Sequence, residues 1–171
     1  MSAESISNAL FLIAAVICAA VLIVAIFPAI YTMTGTFGSA SHAADQNIRT
    51  DFTIVFTGYN SVSGVVTVYM KNVGTAQISS ANIESSDVVC GGSADFGRIS
   101  SSYWTPELCP AQSDCTPLVG NSYWNPGETL GITIQLPQQN LPSSANDNIY
   151  FQFILPNGVS RSLTFPQSIT G

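Results

Sequence analysis

Between Ser5 and Ala44 the chain carries no Asp, Glu, Lys or Arg, and within that run Ala9 to Met33 is almost wholly apolar. Those 25 residues form a helix of about 37 Å at roughly 1.5 Å per residue, enough to cross a bilayer core of about 30 Å. Small side chains at Ala14, Ala15, Ala19 and Ala20 suit close helix–helix packing, in lipid or in a filament core. Cys18 reads as a small packing residue among them. Pro28 is expected to kink the helix near its end, and Tyr31 suits an interfacial anchor. A secretory signal fits badly. The first base is Arg49, and the apolar run exceeds the about 7–15 residues of such a segment, although Ser39-Ala40-Ser41 offers small residues for cleavage. Glu4 is the only charge ahead of the helix. It suits the positive end of the helix dipole, with Ser2 or Ser5 as cap, or it pairs with the terminal amine of a neighbour in a bundle.

After Met33 the composition turns to Gly, Ser, Ala and Thr, and residues 34–47 are expected to be a connector. From Ile48 the period changes to two. Asp51 to Phe56, Gly64 to Lys71, Gln77 to Val89, Glu128 to Leu136, Ile149 to Leu155 and Val159 to Phe165 read as strands, rich in β-branched and aromatic residues. Gly58-Tyr59-Asn60-Ser61 links the first pair, and Pro156-Asn157-Gly158 is a hairpin signal. About seven short strands with no helix among them make residues 48–171 an all-β, immunoglobulin-like sandwich behind one long helix at 1–33. Between Cys90 and Tyr123 the alternation gives way to Gly, Ser and Pro with three cysteines, a long loop of the kind that is usually functional. A disulfide is expected among Cys90, Cys109 and Cys115. Cys109–Cys115 is the shortest closure, and Cys90 to either is equally open. A disulfide places this body outside the cytoplasm.

Charge narrows the function. Ten acids against four bases give a net charge of −6, and only 8% of residues are charged, against about 25% in ordinary soluble domains. Nucleic acid is excluded as a partner, because phosphate binding needs clustered Lys and Arg. No catalytic, cofactor or metal constellation is found. His42 lies in the connector, Lys71 is the only lysine, and no Cys-x-x-Cys occurs. The acids of the body are scattered, Glu84 and Asp87 being the nearest neighbours. Two matching pairs, Tyr103-Trp104 and Tyr123-Trp124, flank the Cys loop. They are either core anchors or partner contacts, since Trp and Tyr dominate binding hot spots.

The ordered set of Asn47-Ile48-Arg49-Thr50-Asp51-Phe52, Val66 to Gly74, Trp124-Asn125-Pro126-Gly127-Glu128-Thr129-Leu130 and Leu155-Pro156-Asn157-Gly158-Val159-Ser160 resembles the archaellum protein G family of the archaeal motility machinery. The resemblance spans Ile48 to Phe165, with Cys90 to Ser122 as an insertion relative to it. It implies a membrane-anchored, stator-like adaptor without cofactor or enzymatic activity. The helix would lie in the cytoplasmic membrane and the body outside, joining archaellum protein F and the surface layer, with self-assembly into a homo-oligomer. Glu4, Ala14, Ala15, Ala19 and Ala20 would then supply assembly contacts, while nothing carries over onto Cys90 to Ser122, so that Tyr103, Trp104, Tyr123 and Trp124 stay open between core anchors and partner contacts. The alternative is a pilin-like or archaellin-like subunit of an extracellular filament. Those subunits are made with a basic residue and Gly at a cleavage site ahead of the helix, which the start Met1-Ser2-Ala3-Glu4 lacks, and this favours the adaptor.

From Asp45 onward nine acids face four bases. An acidic surface-layer partner would repel such a body less as carboxylates gain protons. Affinity for a purified surface-layer subunit is therefore expected to tighten from pH 7 to pH 4, and a flat or weakening titration overturns the charge argument.

Overall fold

The structure, a computed structural model, describes residues 3–109, 114–144 and 147–167. It divides into two compact units, Met1–Ala44 and Asp45–Gly171. The first unit is helix. α1 runs Ala3–Arg49, 47 residues, and it is the one described helix long and apolar enough to cross a membrane. Leu10-Phe11-Leu12-Ile13 and Val21-Leu22-Ile23-Val24 each circle the helix, so it is apolar on every face, and all of these side chains are exposed in the isolated chain. A helix of that kind needs lipid or other helices around it.

The connector expected at 34–47 is helical instead. Three threonines explain part of this. The hydroxyl of Thr32 donates to the carbonyls of Pro28 and Ala29, that of Thr34 to Ile30 and Tyr31, and that of Thr36 to Thr32 and Met33, at 2.9–3.2 Å. The hydroxyls are satisfied by the helix itself, so a polar-looking stretch stays compatible with an apolar setting. Asp45 and Arg49 add an i, i+4 ion pair at 2.9 Å. Pro28 is followed by twenty-one more helical residues, to Arg49, and His42 lies on this helix.

The second unit is a two-layer antiparallel sandwich. Its elements are β1 (Phe52–Asn60), β2 (Val65–Asn72), β3 (Ile78–Ser79), α2 (Ser80–Glu84), β4 (Asp87–Gly92), β5 (Gly97–Ile99), β6 (Trp104–Cys109), β7 (Thr116–Pro117), β8 (Tyr123–Trp124), β9 (Thr129–Gln135), β10 (Asn148–Ile154) and β11 (Ser160–Pro166). One sheet has the order β1-β2-β9-β6-β7, the other β11-β10-β4-β5, and β3 pairs with β8 apart from them. Alternation decides the faces. Val66, Val68 and Met70 of β2, Leu130, Ile132 and Ile134 of β9, and Ile149, Phe151 and Phe153 of β10 are all fully buried. Phe52 stands between Trp124 and Phe153 with ring centroids 5.9 and 5.6 Å away, the second pair edge-on.

Three local features depart from the sequence reading. The strand expected from Gln77 to Val89 splits into β3, α2 and β4, because the Ser79 hydroxyl caps the Asn82 amide and Ser85 closes the turn. The loop from Cys90 to Tyr123 contains β5, β6, β7 and part of β8, with 110–113 outside the described residues. Within β1, the pairing with β2 slips between Ile54 and Phe56. Val55 is the extra residue of a bulge, and the slip turns Phe56 outward while Thr57 becomes buried.

The chain enters β1 through a knot of hydrogen bonds built on Asn72, whose side chain is 1% exposed. Its amide nitrogen donates to the carbonyls of Ala76 and Trp124, each at 3.0 Å, and its amide oxygen accepts from Gly74 N–H at 3.0 Å. The turn so formed clasps the end of α1: Thr75 and Ala76 N–H donate to the Arg49 carbonyl, and Val73 and Gly74 N–H to the Asp51 carbonyl. Gly74 is there for space. A Cβ on it would lie 2.4 Å from the Arg49 carbonyl and 2.5 Å from the Asp51 nitrogen.

Asn72→Ala is expected to cost about 3 kcal/mol or more, since three groups around it lose their partner at roughly 1 kcal/mol each. Asn72→Asp costs more, because a carboxylate then faces two carbonyl oxygens. Denaturation of the full chain in detergent, followed by tryptophan fluorescence, checks both, and losses within about 0.5 kcal/mol of the parent would contradict the clasp. Cys90 faces the core from β4, and burial pushes its thiol from 9.0 up to about 12. It should react with a thiol reagent at pH 8 only once the body unfolds. The stabilisation tied to its neutral form is present below about pH 9 and is lost as pH rises toward 12. Fast labelling in the folded state would count against this placement.

Candidate functional site

The residues that could meet a partner are settled by which side of a strand they occupy. In each Tyr-Trp pair the two residues alternate. Trp104 and Trp124 are 7% and 0% exposed and belong to the core, whereas Tyr103 and Tyr123 are 45% and 51% exposed. The tryptophans are therefore not partner contacts. Trp124 is also held by its own indole N–H, which donates to the Glu128 carbonyl at 2.9 Å. The surrounding turn is fixed by the Glu128 carboxylate, which accepts from the backbone and side-chain nitrogens of Asn125 at 2.9 and 3.1 Å. The two tyrosines remain available at the surface.

Of the three candidate cysteines, Cys109 and Cys115 form the disulfide. Cys90 stays free and buried, because it points between the sheets opposite Phe151, while Cys109 lies on the outer face of the other sheet, paired with Thr129.

That outer face holds the feature the sequence reading missed. One row across it runs Phe56 of β1, Tyr69 of β2, Gly131 of β9 and Glu107 of β6. The Phe56 and Tyr69 rings are 5.9 Å apart. The Tyr69 ring lies on Gly131, where an added Cβ would come within 2.9 Å of it, with the Cys109 sulfur 3.6 Å from the same point. Rings laid across glycine keep the face flat. The next row is Gly58, Thr67, Thr133 and Thr105. Alternation from Phe52 and Ile54 would have put Phe56 in the core; only the bulge at Val55 reveals it as a surface residue.

Among the described residues, three of the body's four bases are paired with acids. Asp45 holds Arg49, Asp87 holds Arg98, and Asp51 holds Arg161, all partly exposed and so of little worth to stability. The Ser93 hydroxyl, first among several hydrogen bonds, keeps the Asp147 carboxyl below its ordinary range. Among the described residues, no group of three or more His, Cys, Asp and Glu is placed to hold a metal. Two shallow grooves, of about 390 and 200 Å³, border Thr50. The larger is lined by Asp51 and Arg161, already paired with each other.

On α1, Glu4 sits in the first turn, and Met1 and Ser2 lie outside the described residues. At about 100° per residue, Ala14, Ala15, Cys18 and Ala19 share one arc of about 140°, and Ala20 falls off it. The structure gathers these small residues on one side of the helix, apart from Ala20.

An uncharacterized protein of Archaeoglobus fulgidus is 26% identical to this chain over 161 residues, covering 93% of this chain and 95% of that protein. A chain of the archaellum periplasmic stator protein complex FlaF and FlaG from Sulfolobus acidocaldarius is 28% identical, with a TM-score of 0.50 over 67% of this chain and 87% of its own. The archaeal flagellum of Methanospirillum hungatei strain JF1 shares the helix-and-sandwich fold, at 18% identity and a TM-score of 0.58, over 97% of this chain and 96% of that one. The sequence model of the archaeal-type flagellins matches residues 2–165, from the first turn of α1 to the end of β11, and the chain belongs to the archaeal-type flagellin family.

Proposed function

We propose that this protein is a membrane-anchored structural component of the archaellum, a stator-like adaptor without enzymatic activity. The observation that carries the reading is the 28% identity to a chain of the FlaF and FlaG stator complex, over 87% of that chain. The apolar span of α1 lies in the cytoplasmic membrane, and its polar continuation adds about 24 Å of helix beyond Met33. The sandwich lies outside, where the Cys109–Cys115 disulfide is stable. There it meets a FlaF-type partner and the surface layer through Tyr103 and Tyr123. The small arc of α1, with Glu4, is where copies of the chain associate. An adaptor of this kind works by holding position, so its requirements are a partner surface and a body that does not deform.

A filament subunit is the second reading. It is favoured by the likeness in fold to the Methanospirillum hungatei flagellum, which extends over the helix as well as the sandwich. In that case α1 would lie in a bundle of helices instead of lipid, and Glu4 would meet a neighbouring chain.

Shearing cells, separating filaments from envelope and taking the intact mass of the protein in each fraction decides between the two. The adaptor is expected in the envelope, and abundance in the sheared filaments overturns it in favour of the filament subunit. Tyr103→Ala with Tyr123→Ala is expected to cut capture of the FlaF-type partner about tenfold or more, as for exposed aromatic anchors, while the unfolding midpoint stays put. Equal capture by parent and variant would remove these tyrosines from the partner surface.

A further inference from the structure

The outer face of the five-stranded sheet carries one base and one acid, and neither has an ion partner among the described residues. Lys71 stands on β2 beside Thr129, and Glu107 on β6 beside Gly131. All three arginines, by contrast, are held by aspartates. Lys71 and Glu107 are two strands and one rung apart, about 12 Å at spacings of about 4.8 Å between strands and about 3.4 Å per residue. Between them the Tyr69 ring lies flat on Gly131, and the rows to either side are mostly threonine.

We propose that this face docks on the same face of a second copy of the chain, with Lys71 of each copy against Glu107 of the other. A two-fold contact requires a patch complementary to itself, and one acid and one base on either side of a flat apolar centre meet that requirement. The two-fold axis crosses β9 between Thr129 and Gly131. The aromatic centre is then enclosed by two ion pairs, the arrangement in which an aromatic anchor contributes most. Size sets the strength. The four long strands make a face of about 19 by 24 Å, which buries roughly 900 Å² over two copies, below the about 1,200 Å² of a stable specific interface. The contact is therefore weak alone and effective between chains already concentrated in one membrane or one filament. It deepens the structural reading above, since it supplies the body's part of the association that α1 begins.

The test is cross-linking of the full chain in liposomes, with Cys18→Ser throughout so that α1 cannot react. Thr67→Cys, on β2 one row beyond Tyr69, lies close to the axis, which runs oblique to the strands, and it is clear of the disulfide; a bis-maleimide spanning about 10 Å matches the distance between packed sheets. Ser162→Cys, on the outer face of the other sheet, is the control. The expected result is a dimer from Thr67→Cys and none above background from Ser162→Cys. Lys71→Glu or Glu107→Lys added singly should lower the yield about tenfold, two attractive pairs becoming two repulsive ones. The double exchange, Lys71→Glu with Glu107→Lys, should restore it, which a folding defect in either single variant would not allow. The proposal is overturned if Thr67→Cys cross-links no better than Ser162→Cys, if the single reversals leave the yield unchanged, or if the double exchange fails to rescue. These outcomes are separate from fractionation: protein found in sheared filaments removes the adaptor reading and leaves the dimer result standing.

Discussion

One buried carboxamide holds together the part of the body where the chain changes from helix to strand. Asn72 ends β2, yet its side chain reaches the turn at 73–76 and the Trp124 backbone at once. Its own N–H and C=O are bonded to Glu128 and Gly127. Three stretches far apart in sequence, 49–51, 72–76 and 124–128, are thereby closed around a single side chain. A buried amide that satisfies two carbonyls and an N–H is favourable only as a complete set, so the site tolerates neither a shorter residue nor an acid. Gly74 belongs to the same set, because the Arg49 carbonyl and the Asp51 nitrogen occupy the space of its missing Cβ.

How much of this was legible in the sequence depends on the distance over which the deciding contact acts. β2, β9 and β10 were readable because alternation is local and their inward residues are uninterrupted Val, Ile, Leu, Met and Phe. The Pro156-Asn157-Gly158 hairpin was readable too, as Gly158 takes a positive φ of 87° and its N–H closes the turn on Leu155. The stretch from Gln77 to Val89 was not. Its serines offer caps that compete with a ladder, and the choice is made when β3 pairs with β8, more than forty residues away. The helix from Thr34 to Arg49 was hidden by its composition, since Gly, Ser and Thr signal a loop until the threonine hydroxyls fold back on the carbonyls.

The candidate surfaces divided in the same way. Chemistry named the Tyr-Trp pairs and the cysteines, and strand parity sorted them: tyrosines out, tryptophans in, Cys109 out, Cys90 in. What chemistry could not name was the row through Phe56, Tyr69 and Gly131, because it exists only after three strands are in register. Asn72 and its turn were visible as a stretch resembling a family, and the structure gives that stretch its physical content.

The bulge in β1 has the character of a dislocation in a crystal. Before Val55 the strand is in one phase with its neighbour, and after it the phase is reversed, so that Phe56 reaches the outer face. Nothing in the identity of Val55 carries this information; its presence does. The part of the outer face that β1 supplies is thus encoded by a count of residues. It would survive most exchanges at that position and would vanish with the loss of a single residue there, whatever the residue was.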